Sequence, residues 1–324
     1  MEINGKNYTV VDVYDLSITV PDSFVLSDNK TCGGHGEAKL YMGSKSHMRK
    51  FYTGDMHNLG FESKCLILKK DIIHYMATIK HEYLHPSIRY RGQGKKKNMK
   101  HLWECRNKEI QDLPNVLSFV VKDQDQIDGE RGYVKVTTNN SKAGGYGLIR
   151  KIALPFVSYI SVMKLRDDIT NEYVFYWKLF TDFSRMAEQQ YAAKNYGKRK
   201  GKYREKRDGQ DRYRVKLYNQ FQHCPFTQID DIKLLIASHI KPWSVCNLAE
   251  KTDVENGLML SPLFDKLFDK GYISFDNDGN IMISDWLSPA NQERIDFTLL
   301  NKEDLHLTDK RKMFLEYHRN NVFK

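Results

Sequence analysis

Two aspartates four positions apart, Asp265 and Asp269 in "SPLFDKLFDKG" (261–271), lie downstream of a histidine, His239 in "LLIASHIKPW" (234–243). These are residue types from which a hydrolytic centre can be built. Carboxylates at i and i+4 project from one face of a helix a turn apart, where like charges destabilise it by a few tenths of a kcal/mol. A divalent cation reverses that sign. Two hard oxygen ligands on one wall suit Mg²⁺, which keeps its remaining positions for water and phosphate. Lys266 and Lys270 offer a second explanation, in which they screen both carboxylates with no metal present.

The elements that must carry these residues follow from local pattern. "LLIASHIKPW" reads as a short apolar strand ended by Pro242, and "DVENGLMLSP" as an Asn-Gly turn leading into a second strand through Leu258 and Leu260. Ser261 and Pro262 suit a helix N-cap and first position, and Gly271 suits the stop, which predicts a helix from about Pro262 to Lys270. Leu263, Phe264, Leu267 and Phe268 recur at helical spacing and are expected to be buried. The order is strand, loop, strand, helix.

Residues 1–185 read as a mixed α/β domain. "YTVVDVYDLSITV", "KCLILKK", "RGYVKVTT", "FVSYISVMKL" and "TNEYVFYWKLF" are strand-like, the last after a turn at "DDITN". "KDIIHYMATIKHEYLH" places Ile72, Ile73, Met76 and Ile79 on one helical face and stops before Pro86. Inside it "HEYLH" fits the H-E-x-x-H zinc-protease spacing at His81, Glu82 and His85. Pro86 ends the helix at the second histidine and no matching third ligand follows, so the pattern is read as coincidence. "CGGH" (Cys32, His35) is weaker still as half a metal site.

The chain of 324 residues is long enough for two domains, and its hydrophobic fraction of 40% suffices for real cores. No apolar run is long enough to span a bilayer, and the first residues lack a signal-peptide layout, which predicts a cytoplasmic protein. Five scattered cysteines suit a reducing compartment. A formal charge of +10 points to a polyanionic partner. Residues 194–217 hold eleven cations against three anions, and so carry eight of those ten charges. They read either as a solvated linker or as an arm lying on phosphate backbone through Lys198, Arg199, Lys200, Lys202, Arg204 and Arg207, with Tyr196, Tyr203 and Tyr213 available to stack on sugars or bases. A second basic stretch, "RYRGQGKKKNMKH" (89–101), reads as a loop that Gly92 and Gly94 make flexible.

"RDGQDRYR", "CPFT", "ASHIKPWS", "ENGLMLSPLFDKLFDKG" and the terminal "LEYHRNNVF" together resemble the HNH, or ββα-metal, nuclease family, in the branch common among bacterial restriction-like endonucleases. The resemblance covers about residues 207–324. It implies an HNH nuclease domain at 216–324; with a basic linker or arm at 186–215, residues 1–185, of no recognised family, are the material left for a specificity domain, which makes an α+β chain in three parts. It implies that His239 is the general base, that the Asn256 amide holds the loop between the strands, and that Asp265 and Asp269 are metal ligands. Where many relatives carry a carboxylate or histidine before the base, this chain has Ser238; Asp230 or Asp231 would have to replace it. Some relatives hold a zinc in paired CxxC motifs. Here Cys224 stands alone with Cys246 too distant, so no zinc is expected.

The activity implied is hydrolysis of DNA phosphodiesters to 5′-phosphate and 3′-hydroxyl ends, with one Mg²⁺ or Mn²⁺ per site and Lys241 beside the scissile phosphate. A type II restriction or modification-dependent enzyme of phage defence fits this reading. Its substrate would be double-stranded DNA, and a palindromic target would call for a homodimer. The other reading is a DNA-binding protein with a degenerate nuclease site, which the serine at position 238 favours.

Overall fold

Strand-forming runs in the first half of the chain assemble into one sheet. The structure, a computed structural model, describes all residues except 15–17, 33–37, 59, 95–97, 125–129, 137–143 and 183–209. The chain divides into two units, Met1–Lys194 and Asn195–Lys324.

In the first unit the strands are β1 (Glu2–Ile3), β2 (Lys6–Val13), β3 (Ile18–Thr19), β4 (Leu40–Ser44), β5 (Glu62–Leu68), β6 (Val116–Asp123), β7 (Arg131–Val136), β8 (Ser158–Asp167) and β9 (Tyr173–Thr181). They lie in the order β1-β2-β8-β9-β5-β6-β7-β4, with β3 also against β8. The β5–β9 pair is parallel and the others are antiparallel, so the sheet is mixed. Helices α1 (Lys45–Thr53), α2 (Lys69–Thr78), α3 (Lys80–Leu84), α4 (Met99–Gln111) and α5 (Gly144–Ile152) accompany it. The core is aromatic: Phe24, Tyr75, Tyr83, Tyr146 and Trp177 are fully buried.

Two expectations for this unit are corrected. The helix expected through residues 70–85 is two helices, α2 and α3, divided at Ile79. Ile72, Met76 and Ile79 are buried, but Ile73 faces solvent and Tyr75 takes its place in the core. Gly92 is no flexible hinge, because it is buried and a β-carbon there would run into the Leu102 side chain and the Asp28 carbonyl. The "HEYLH" motif has no protease geometry. Glu82 is buried and accepts hydrogen bonds from the Ser87 N–H at 2.9 Å, the Ser87 hydroxyl at 2.8 Å and the Tyr90 hydroxyl at 3.2 Å. His81 and His85 stay on the surface, ring centroids 5.2 Å apart.

The second unit is built from α6 (Gln210–Phe221), the antiparallel pair β10 (Ile236–His239) and β11 (Gly257–Leu260), α7 (Pro262–Asp269), the pair β12 (Ile273–Phe275) and β13 (Ile281–Ile283), α8 (Pro289–Arg294) and α9 (Asp309–Asn321). Tyr213, Leu217 and Phe221 recur every four residues along α6 and point into a core shared with Leu258, Met259 and Leu260 of β11, Phe264, Leu267 and Phe268 of α7, and Leu315 of α9. Phe226 stacks face to face on Phe264 at 3.8 Å. Arg311, fully buried, donates to the carbonyls of Leu305, His306 and Val254 and to Gln220, which joins α9 to the loop before β11 and to α6. No helix among the described residues is long and apolar enough to cross a membrane.

Candidate active site

Helix α7 begins and ends where its residue types place it. Pro262 occupies the first turn, and Gly271 follows at φ +68°, where a β-carbon would overlap the Val322 carbonyl oxygen. Ser261 takes the N-cap position, yet its side chain makes no capping bond; its hydroxyl accepts a weak bond from the Cys224 thiol at 3.7 Å. Phe264, Leu267 and Phe268 are buried, whereas Leu263 is 52% exposed, contrary to the expectation from spacing. The buried face is thus narrower than the apolar pattern, and Asp265 lies at its margin, half-buried.

Asp265 sits against the neighbouring strand. Burial raises its pKa above the usual carboxylate range; the Ser238 hydroxyl opposes that shift, Asp269 adds to it, and Lys266 and Lys270 pull it back. Asp269 is exposed and pairs with Lys270 at 3.2 Å. The lysine explanation is met in part by the Asp269–Lys270 pair. Lys266 and Lys270 offset part of the repulsion, while burial and Asp269 still disfavour the charged form of Asp265. Two carboxylates with a hydroxyl beside them form an oxygen-only donor set, which fits a hard divalent cation that retains water. Among the described residues no three His, Cys, Asp or Glu side chains cluster as a metal group. Asp230 and Asp231 therefore do not complete a three-residue cluster with this pair. Asp231 instead caps a short turn by accepting from the Lys233 N–H at 2.9 Å.

His239 ends β10 opposite Gly257 of β11. Successive strand residues alternate faces, so Ser238 turns towards Asp265 while His239 turns to the side of α6. There its imidazole stacks on Tyr213, centroids 4.3 Å apart and planes 22° from parallel, with the edge of Trp243 at 5.5 Å. Its Nε2 lies 3.1 Å from the Lys251 carbonyl oxygen. A carbonyl only accepts, so Nε2 carries a proton towards Lys251. His239 and Asp265 are thus linked through adjacent residues of one strand, on its two sides.

Asn256 is fully buried. Its Oδ1 accepts from the Lys241 N–H at 2.7 Å, and its Nδ2 donates to the Glu250 carbonyl at 3.2 Å and to Cys246 Sγ at 3.2 Å. It pins the segment between the two strands from inside. The expected Asn-Gly turn is absent: Asn256 ends a short 3-10 turn and Gly257 is extended, already within β11.

Lys241 is bound to both Glu250 carboxylate oxygens at 2.8 Å, with Tyr317 beneath its ammonium at 5.2 Å. Gripping a phosphate would require it to share or leave that pair. Lys198, Arg199, Lys200, Lys202, Arg204 and Arg207 lie outside the described residues. Tyr213, grouped by sequence with the stacking residues of the basic arm, is instead a core residue of α6. The signal that reveals this is its register with Leu217 and Phe221, which the density of charge around it obscures.

Residues 224–276 match the family described as HNH endonuclease. The match runs from Cys224 through β10, β11 and α7 to β12, and it leaves α6 and α9 outside. No curated protein matches the chain.

Proposed function

We propose, from the match of residues 224–276 to the HNH endonuclease family, that this chain is a divalent-metal-dependent endonuclease hydrolysing double-stranded DNA through His239, Asp265 and Asp269. The observation that carries this reading is the joining of one strand end and one helix. β10 ends in an imidazole whose Nε2 meets the Lys251 carbonyl, and the preceding residue meets the helix that bears both carboxylates.

In this reading the His239 imidazole takes the proton of an attacking water, and the Lys251 carbonyl stabilises the imidazolium that results. Asp265 and Asp269 would hold the metal, which when bound supplies charge stabilisation to the phosphate and to the departing 3′-oxygen. Asn256 keeps the connecting segment, and with it the Lys251 carbonyl, in place behind the imidazole. The basic stretch 194–216 would track the duplex backbone, giving affinity without sequence information. Target choice then falls to the first unit, as in a restriction or modification-dependent defence enzyme.

Supercoiled plasmid incubated with Mg²⁺ or with EDTA tests this. Metal-dependent nicking by the parent, lost in His239→Ala, supports the enzyme. The serine before the base, with no third ligand among the described residues, favours a second reading, a DNA-binding protein without cleavage. Equal gel retardation by both proteins with no nicking in either would establish it.

A further inference from the structure

We propose that Tyr213 is a positioning residue for the His239 imidazole, and that Gly257 is a glycine so that Tyr213 can take its place. This inference rests on His239 being the base of the nuclease reading. Tyr213 lies outside the span that matches the family, on a helix that precedes it.

Three contacts fix the tyrosine and the histidine as one unit. The phenol ring lies nearly parallel to the imidazole with centroids 4.3 Å apart. Its hydroxyl, held protonated by burial, donates to the Asn256 carbonyl at 3.0 Å. The imidazole in turn reaches the Lys251 carbonyl, on the segment that the Asn256 side chain pins. Ring and amide thus hold the histidine from two directions, with the Trp243 edge as a third wall.

The cross-strand register explains the glycine. His239 is directly opposite Gly257, so both present their side-chain positions to the same face of the hairpin, the face that Tyr213 covers. A β-carbon at position 257 would overlap the Tyr213 hydroxyl oxygen and press on both Leu217 methyls at 3.0 Å. Any other residue there would lift the ring off the imidazole. The backbone of Gly257 is extended (φ −152°), a conformation open to all residues, so space rather than conformation selects glycine.

A stacked ring that holds the base without touching substrate should act on turnover and leave substrate binding alone. Its action is also visible without catalysis, in which imidazole nitrogen carries the proton. The test compares full-length parent, Tyr213→Leu, Tyr213→Phe, Gly257→Ala and the Tyr213→Phe/Gly257→Ala double variant. It reads the His239 tautomer by ¹⁵N NMR, and kcat and KM for Mg²⁺-dependent plasmid nicking. Tyr213→Phe keeps the ring, and should keep the Nε2–H tautomer and most of the activity. Tyr213→Leu should show mixed tautomers and a fall in kcat of about tenfold to a hundredfold at unchanged KM.

Gly257→Ala should reproduce that loss, and the double variant should recover much of it, because the oxygen that meets the new methyl is gone. If Tyr213→Leu does not fold, the Gly257→Ala pair decides. A parent-like tautomer and kcat in Tyr213→Leu, or a Gly257→Ala loss that Tyr213→Phe does not relieve, overturns the proposal. Absence of nicking by the parent would instead sink the nuclease reading, while the tautomer still decides whether Tyr213 positions the imidazole.

Discussion

Asn256 holds the backbone of Lys241 from both sides. Its Oδ1 accepts the lysine N–H at 2.7 Å, and its Nδ2 approaches the lysine carbonyl at 3.4 Å, from a fully buried position. Replacing this amide by a carboxylate, Asn256→Asp, keeps the acceptor and turns the donor into a second acceptor facing the carbonyls of Glu250 and Lys241. Each buried bond left unmade costs about 1–3 kcal/mol. Asn256→Asp should therefore lower the melting midpoint more than Asn256→Ala, which differential scanning calorimetry reads directly. Equal midpoints would show that the donor side is not in use.

Asp265 and Asp269 should separate stability from activity. Asp265→Asn removes a half-buried negative charge that burial and Asp269 both disfavour. Without metal the variant should be at least as stable as the parent, by a few tenths of a kcal/mol. Nicking should fall by about a hundredfold or more, and Mg²⁺ should no longer raise the melting temperature. A variant that still gains stability from Mg²⁺ would move the metal elsewhere.

The Lys241–Glu250 pair gives a reading on phosphate contact. Glu250→Gln releases an ammonium now shared by two carboxylate oxygens at 2.8 Å. If Lys241 meets the phosphate, DNA affinity at low salt should rise in Glu250→Gln and fall in Lys241→Met. Unchanged affinity in both would confine the lysine to its loop.

The basic stretch can be tested through salt alone. Neutralising Lys198, Arg199, Lys200 and Lys202 together to Gln should reduce the slope of log K against log[salt] by about 3–4, at roughly 0.9 per duplex phosphate contact. Fluorescence anisotropy on two unrelated duplexes should show the same change for each, since backbone contacts carry no sequence information. An unaltered slope would leave the stretch as a linker.

His318 makes the second unit sensitive to acid. It is buried against Phe268, with Nε2 donating to the Phe268 carbonyl at 3.1 Å and Nδ1 3.0 Å from the Ser274 hydroxyl. Burial lowers its pKa from 6.5 to about 4. In the unfolded chain the ordinary value returns, so between about pH 6.5 and pH 4 the unfolded state binds the proton and the folded state does not. Stability is therefore full above pH 6.5 and falls as pH drops through that window, by up to about 3 kcal/mol. Urea titrations from pH 7 to 4 should show this slope in the parent, and a shallower one in His318→Gln.

Three elements of the second unit were legible because their signals are local. Pro262 and Gly271 bracket α7, and the apolar runs around Ile236 and Leu258 form β10 and β11. The spacing of Asp265 and Asp269 sets them a turn apart on that helix. What failed were judgements of burial. Leu263 and Ile73 sit at helical spacing with core residues yet face solvent, because the width of a buried face depends on what packs against it. Gly92 was misread for the same reason: its neighbour Leu102 is ten positions away in sequence.

By itself, the sequence determined which residue types lie on one helix and one strand, and where that helix begins and ends, since turn geometry and periodicity act over a few residues. Only the tertiary structure decided which face of β10 meets which helix. It put Ser238 with Asp265 and His239 with Tyr213, it took Tyr213 out of the basic arm and into the core, and it closed Lys241 onto Glu250. Those pairings follow from strand alternation and from packing between elements up to 27 residues apart, which no local pattern encodes.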